Sequence, residues 1–479
     1  MIATPKSSAK PTLLLCGHWW KTEGRVKRVL LISSNRCDQP YPVFPLGLTY
    51  VDTALRRAGH ETRLWDYQIA GVPLEQVLAE FAPDYIGISC RNVDDIVYQS
   101  QETYFDLPAQ IIQRVRAMTK CPVVLGGSAF SLYPEKLLEL TGANYGVVGE
   151  GERAFVELLA GNELSRVPGL VWRNGNIITI NPRAPLDPRD IPFAERAPAL
   201  EDFYLQRSLM LNIQTQRGCP LHCCYCTYPL IEGRQPRRRP AADVVAELAD
   251  LAARGVKHVF IADSVFNTTT AHVTEICEAI LQRGVTITWS CFLRPVGLTP
   301  ELMRLMARAG LTHVEFGSDS FCDPVLREYG KSFTFADILE SALNAQAAKV
   351  RQAHFLICGG PGETRETLQE TFTNSRQLTG AVIFGFAGMR IFPGTALHER
   401  ALREGVIQSD TDLLSPRYYI SASLPITELL ALLEDFKCQA ANWIVGPLPP
   451  SFPAFADRLR QRGVVGPLWE YYTALKRMA

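Results

Sequence analysis

Four cysteines fall within eight residues, in the segment Arg217-Gly218-Cys219-Pro220-Leu221-His222-Cys223-Cys224-Tyr225-Cys226. Cys219, Cys223 and Cys226 form a C-x3-C-x2-C pattern. Three thiolates on one loop suit a cubane [4Fe–4S] cluster, each binding one iron and leaving the fourth iron open. An electron-transfer cluster ordinarily has four protein ligands, so a set of three points to chemistry at the open iron. A zinc site is the alternative. It favours paired C-x2-C knuckles or a partner histidine; His222 is adjacent, but no second ligand pair is near. Cys224 fits neither spacing and is expected as a non-ligand thiol beside the site. Of the thirteen cysteines, Cys277, Cys291, Cys358 and Cys438 lie in apolar stretches and read as packing residues. Met1 to Lys10 lack the apolar core of an export signal, so no disulfide framework is expected.

The cysteine loop needs a frame, and two strand–helix alternations supply one. Val26–Ser33, Glu61–Trp65, Tyr85–Cys90, Pro122–Gly127 and Tyr145–Val148 read as strands with helices between them. This predicts an α/β fold with a doubly wound parallel sheet and ligands at the strand carboxyl ends. Asn174-Gly175 amid apolar alternation predicts a hairpin. The five prolines from Asn181 to Tyr204 mark a linker. From Leu211 a second alternation begins, with strands at Leu211–Gln214, His258–Ala262, Thr286–Cys291, His313–Gly317, His354–Cys358 and Ile383–Ile391. Six such units suit a partial (β/α)6 barrel whose mouth holds the chemistry. The C-terminal stretch reads as helical, most clearly over Thr427–Trp443. The expected organisation is a tail (1–25), a sheet domain (26–165), a hairpin and linker (166–205), the barrel (206–400) and a helical substrate or cap region (401–479).

Composition narrows the function classes. The chain has 479 residues, 47% of them hydrophobic and 20% charged, as in a globular protein rather than a disordered or fibrous one. Lys+Arg and Asp+Glu are 49 each, and this zero balance supports neither nucleic-acid binding nor a membrane-surface role. No apolar run approaches the ~20 residues of a membrane helix. A cytoplasmic protein is expected, without membrane or nucleic-acid partners.

The motif C-x3-C-x-aromatic-C at the end of a first barrel strand resembles the radical S-adenosylmethionine (SAM) superfamily. Later segments extend the resemblance over about 206–400. Ala262-Asp263-Ser264-Val265-Phe266-Asn267 resembles the second-strand segment that holds the SAM amino group, so Asp263 and Ser264 are candidates. Ser290 and Arg294 resemble residues near the SAM carboxylate. Glu315-Phe316-Gly317-Ser318-Asp319-Ser320 resembles the ribose-contacting motif, with Glu315 and Asp319 as candidates, although many relatives have Glu where Asp319 stands. Gly359-Gly360-Pro361-Gly362-Glu363-Thr364 resembles the glycine motif near adenine, through Gly360 and Gly362. Met389-Arg390-Ile391-Phe392-Pro393-Gly394-Thr395 resembles the end of the sixth strand, through Arg390.

The first sheet resembles the cobalamin-binding domain found ahead of radical SAM domains. Gly126 and Gly127 would let a corrin or its nucleotide tail approach the backbone, Ser128 could donate to the tail, and Glu150 follows the fifth strand. The competing reading is a generic flavodoxin-like turn. The D-x-H-x-x-G motif that supplies a cobalt-ligating histidine in some cobalamin proteins is absent; the loop reads Asn35-Arg36-Cys37-Asp38-Gln39-Pro40. Arg91, at the third strand's carboxyl end, is placed below the cobalt, where a guanidinium has no free lone pair to ligate it. The alternative for Arg91 is an ion pair with Asp94 or Asp95. Arg234, Arg237, Arg238 and Arg239 follow the cluster loop without aromatic interleaving, and pairing with SAM, cobalamin or Glu232 is favoured over RNA. Trp19-Trp20 is expected to pack on the first domain.

The resemblance implies a cobalamin-dependent radical SAM enzyme that methylates an unactivated carbon, or phosphorus, of a small-molecule substrate. A 5′-deoxyadenosyl radical from SAM would abstract hydrogen, methylcobalamin would deliver the methyl group, and a second SAM would reload the cobalamin. A flavodoxin- or ferredoxin-type reductant is implied. Rearrangement, cyclisation or transfer of another SAM fragment, with or without cobalamin, is the alternative. No residue is singled out as catalytic, and the substrate is not legible.

Overall fold

Apolar runs one strand long, each followed by an amphipathic helix, build two parallel sheets. The computed structural model describes residues 25–69 and 71–472; Cys16, His18 and Trp19-Trp20 lie outside the described residues. The first sheet contains β1 (Arg28–Ser33), β2 (Glu61–Asp66), β3 (Tyr85–Ser89), β4 (Val123–Gly126), β5 (Tyr145–Val147), β6 (Leu170–Asn174) and β7 (Ile177–Ile180), in the order β2-β1-β3-β4-β5-β6-β7. The first five are parallel. The hairpin at Asn174-Gly175 adds β6 and β7 as an antiparallel edge. The order 2-1-3-4-5 is flavodoxin-like, and its switch point lies between β1 and β3.

The second sheet is a parallel barrel of β8 (Leu211–Ile213), β9 (His258–Ile261), β10 (Thr288–Leu293), β11 (Leu311–Asp319), β12 (Arg351–Cys358), β13 (Val382–Ala387) and β14 (Trp443–Val445). The six expected strands stand in sequence order, and β14 adds a seventh beside β13. Here the helical reading of Thr427–Trp443 is corrected: the helix ends at Gln439 and Trp443 opens β14. Three residues are too few to show a strand period, and tertiary packing decides. The Trp443 ring lies 5.2 Å from both Phe372 and Phe436, and its Nε1 donates to Ser375 at 3.2 Å. The expected strand Ile383–Ile391 also divides. It stops at Ala387, Gly388 turns at φ 75°, and Met389–Arg390 pair antiparallel with Tyr418–Tyr419.

Strand alternation sorts the barrel residues. Val259, Ile261, Trp289, Cys291, Val314 and Phe316 pack under the helices; Leu356, Cys358 and Ile383 do so further round. The residues between them face the lumen. The C-terminal segment closes the barrel's amino-terminal end. Glu470 meets His313 at 2.9 Å, the Trp469 ring lies 5.4 Å from His313, and Tyr472 lies 6.1 Å from Phe384.

Buried polar ties join the first sheet to the barrel. Arg217 pairs with Glu150 at 2.6 Å and Glu152 at 2.7 Å. Arg390 pairs with Asp94 at 2.8 Å. Asn212 donates to the Phe44 carbonyl at 3.0 Å, and Tyr204 to Asp66 at 2.9 Å. Among the described residues no helix is long and apolar enough to cross a membrane.

Candidate active site

The cysteine loop leaves β8 through Gln216–Arg217, which pair antiparallel with Arg237–Arg238. Gly218 has φ 90°, and a Cβ there would sit 2.3 Å from the Gln235 carbonyl oxygen, so only glycine fits. The loop is then clamped from three directions. Cys219 N–H donates to Gly233 at 3.0 Å, Cys224 N–H to Tyr329 at 2.9 Å, and Leu397 N–H to the Cys224 carbonyl at 2.8 Å. Cys219 is buried, while Cys223 and Cys226 are half-buried.

The thiols crowd one another. Burial raises Cys223, with Asp319 and Cys219 adding to the rise and Lys331 opposing it. Burial likewise pushes Cys226 up to about 12, and Cys223 and Cys219 add to it. Three thiolates so placed need positive charge between them, which a bound metal cluster supplies. Among the described residues no three His, Cys, Asp or Glu side chains converge as ligands of one ion do. A cubane asks for no such convergence, because its thiolates bind different irons. Cys224 turns away, its Sγ 3.9 Å from the Met389 sulfur, in an apolar core.

The residues matched to SAM motifs ring the barrel mouth and its interior, and most hold the frame. Buried Asp263 accepts from Thr215 N–H at 2.7 Å and Gln216 N–H at 3.2 Å, tying the end of β9 to the start of the cysteine loop. Its burial raises the carboxyl to about 7. Ser264 approaches the Gly218 carbonyl at 3.5 Å. Ser290 contacts His258 at 3.0 Å. Arg294 N–H donates to Asn267 at 2.9 Å, and its side-chain Nε is buried without a hydrogen-bond partner among the described residues. Glu315 accepts from Trp469 Nε1 at 3.1 Å inside the barrel, and burial lifts it to about 7. Asp319 accepts from Tyr225 at 2.5 Å and pairs with Lys331. A Cβ on Gly360 would meet the Tyr329 hydroxyl at 2.4 Å, and one on Gly362 would meet Glu328 at 2.6 Å. Arg390 is spent on Asp94 and on the Leu413 carbonyl at 2.8 Å.

The first sheet's candidates divide similarly. Gly127 has φ 97°, and its Cβ would lie 2.5 Å from the Cys90 carbonyl oxygen. At Gly126 a Cβ would meet nothing within 4 Å, so open space lies over this strand end. The two glycines should therefore respond differently to substitution. Gly127→Ala is expected to lower unfolding free energy by about 1–3 kcal/mol, and Gly126→Ala to leave it nearly unchanged, as read by denaturant titration. Ser128 Oγ donates to the Arg91 carbonyl at 2.7 Å. Glu150 is taken by Arg217, by Arg237 at 2.9 Å and by Leu186 N–H at 2.8 Å. Burial works against its charge, but the two arginines win and hold its pKa below the usual range.

Arg91 makes no ion pair with Asp94 or Asp95 among the described residues. Asp94 is taken by Arg390, and Asp95 by Ser100. The Arg91 side chain is exposed. Burial raises the hydroxyls of Tyr41, Tyr204 and Tyr228, and in each case the Arg91 charge pulls weakly the other way. Of the basic run, Arg237 serves Glu150 and Arg239 serves Glu247 at 2.9 Å.

Sequence reasoning missed Lys331 and Tyr225, which lock the cysteine loop to β11 through Asp319. It offered Glu232 as a partner of the basic run, whereas that carboxylate accepts Gly218 N–H at 2.9 Å and the Gln214 amide at 3.0 Å. The aromatic residue before Cys226 was the one available signal; Lys331 belongs to no spacing pattern.

Comparison with known proteins fits this geometry. Residues 213–373 match the Radical SAM superfamily, and residues 39–159 match the B12 binding domain. A tryptophan 2-C-methyltransferase from Streptomyces laurentii is 26% identical over 439 residues, covering 76% of this chain and 73% of the relative. A cytidylyl-2-hydroxyethylphosphonate methyltransferase from Streptomyces wedmorensis is 24% identical over 468 residues, covering 82% and 85%. The radical SAM methyltransferase TsrM from Kitasatospora setae, solved with cobalamin and a [4Fe-4S] cluster, superposes with a TM-score of 0.84 at 24% identity, over 95% of this chain and 98% of that one. The chain belongs to the radical SAM superfamily, as an enzyme that carries a B12-binding domain ahead of its barrel.

Proposed function

We propose that the protein transfers a methyl group to carbon, or to phosphorus, of a small-molecule substrate held between the first sheet and the barrel. The observation that carries this reading is the joining of the two mouths. Asp94 lies just beyond β3 at the sheet's switch point, Arg390 lies just beyond β13 at the barrel's carboxyl end, and they form a buried pair at 2.8 Å. Ligands of the two domains therefore face one shared space. Cys219, Cys223 and Cys226 would hold a [4Fe–4S] cluster, Ser264 and Arg294 would contact SAM, and the open face of Gly126 would receive cobalamin. When bound, these groups supply the radical and methyl-transfer chemistry.

The chain's own residues orient and enclose. Asp263, Glu232 and Lys331 hold the cysteine loop in place, and Asp94–Arg390 sets the separation of the mouths. Arg91 would bring a positive charge to the cobalamin site, and its guanidinium has no lone pair to give the metal. A flavodoxin- or ferredoxin-type reductant would deliver the electron.

The test is anaerobic reconstitution with iron, sulfide and hydroxocobalamin. Stoichiometric cobalamin after desalting, and S-adenosylhomocysteine formed together with a substrate mass shift, are the expected results. Arg91→Ala should alter the cobalamin absorbance and slow turnover. SAM cleavage to 5′-deoxyadenosine without S-adenosylhomocysteine would point to rearrangement or fragment transfer instead.

A further inference from the structure

The lumen of the barrel has a chemistry of its own. Its helix-facing residues are buried, whereas five phenylalanines on the lumen face are only half-buried. On β9 and β10, Phe260 and Phe292 meet edge to face at 5.0 Å. On β12 and β13, Phe355 and Phe384 stack at 4.8 Å with planes 5° apart, and Phe386 extends the stack at 6.3 Å from Phe355.

Between these two aromatic walls runs β11, with Glu315 and Gly317 on its lumen face. A Cβ on Gly317 would meet nothing within 4 Å, and Gly317 is not among the glycines of positive φ. Packing does not demand glycine here, although β11 shifts register between Phe316 and Asp319, where a bulge favours one. The open space over Gly317 is room for another molecule. Wet aromatic walls lose hydrophobic free energy that a bound ring would recover.

The lumen also has a polar edge. Asn212, beside Phe260 in register on β8, donates through Nδ2 to the Phe44 carbonyl. Its Oδ1 is buried and has no hydrogen-bond partner among the described residues, and Asn212 as a whole is 7% exposed.

We propose that the lumen is the specificity pocket for the methyl acceptor and takes a planar aromatic ring system bearing an O–H or N–H donor. The ring lies over Gly317 between the phenylalanine walls, and the donor meets Asn212 Oδ1. The assignment of this pocket to the acceptor rests on the methyl-transfer reading; the ring preference itself does not.

The experiment measures binding to the reconstituted holoenzyme by equilibrium dialysis, with no turnover required. The probes are 2-naphthol, 2-methoxynaphthalene, which lacks the donor, and decahydro-2-naphthol, which is puckered. 2-Naphthol should bind about tenfold tighter than either analogue, since stacking and one satisfied buried acceptor each contribute several-fold. Phe384→Leu should weaken 2-naphthol about fivefold and leave decahydro-2-naphthol within about twofold. Gly317→Val, which fills the slot, should abolish 2-naphthol binding, with cluster and cobalamin absorbance confirming an intact protein. Equal affinity for planar and puckered probes, or no 2-naphthol binding, would overturn the proposal. So would a Gly317→Val protein that loses SAM affinity but keeps 2-naphthol, because the slot would then belong to SAM. Selective naphthol binding in an enzyme that never forms S-adenosylhomocysteine would instead sink the methyl-transfer reading and leave the ring pocket standing.

Discussion

Cys219→Ala, reconstituted anaerobically, is expected to lose the cluster absorbance and to bring SAM cleavage down to the uncatalysed background, while cobalamin binding survives. Cys219 is the buried member of the triad, 5% exposed, and its N–H is fixed to Gly233 at 3.0 Å. Removing it leaves two thiols whose burial already favours the neutral form, so neither readily becomes a thiolate for iron. The first sheet has its own apolar cores and its own strand-end glycines, which the substitution does not touch. Cys224→Ser is the matched control. That sulfur packs on Met389, so iron content should remain at the wild-type level. Full iron loading in Cys219→Ala would remove the triad from the mechanism.

Arg217→Met should be the most destabilising single substitution away from the thiols. The guanidinium is buried between Glu150 and Glu152, with the Tyr50 ring 5.2 Å away. Arg237 still reaches Glu150 after the change, but Glu152, 3% exposed, loses its cation. Leaving a buried charge unpaired costs about 3–5 kcal/mol, which denaturant titration would read as a lowered midpoint. Adding Glu152→Gln should recover part of the loss, because the stranded charge goes with it. The pH profile gives the sign independently. The Glu150 carboxyl is held below its usual range in the folded protein, so its contribution is present above the ordinary carboxylate pKa and fades as pH falls through the folded value. With one arginine gone the folded value rises, and acid unfolding should begin at higher pH.

Features carried by local spacing were legible in the sequence: the three-cysteine loop, the glycine turns, the hairpin at Asn174-Gly175 and the strand–helix rhythm of both sheets. Features set by distant partners were not. A carboxylate at a strand end looks the same whether it awaits a cofactor or an arginine, and only the fold shows that Glu150 faces Arg217 and Arg237. Arg390 and Asp94 are 296 positions apart, so neither residue announces the other. Asp319 resembled a ribose contact and lies on Tyr225, which the cysteine motif marked only as an aromatic, and on Lys331, which no motif marked. The strand at Trp443–Val445 escaped because three residues carry no period, and the pocket for its tryptophan is built by Phe372 and Phe436.

The floor of the barrel is made from residues far along the sequence: Trp469 reaches back 154 positions to Glu315, and Glu470 reaches back 157 to His313. During synthesis, strands β8 to β13 and the cysteine loop all leave the ribosome before that floor exists. Until then the nascent barrel is a tube open at both ends, and the shape of its cavity is set only after its metal-binding loop has been made. Changes confined to Trp469 and Glu470 can therefore reshape what the enzyme accepts without disturbing the order in which that loop is made.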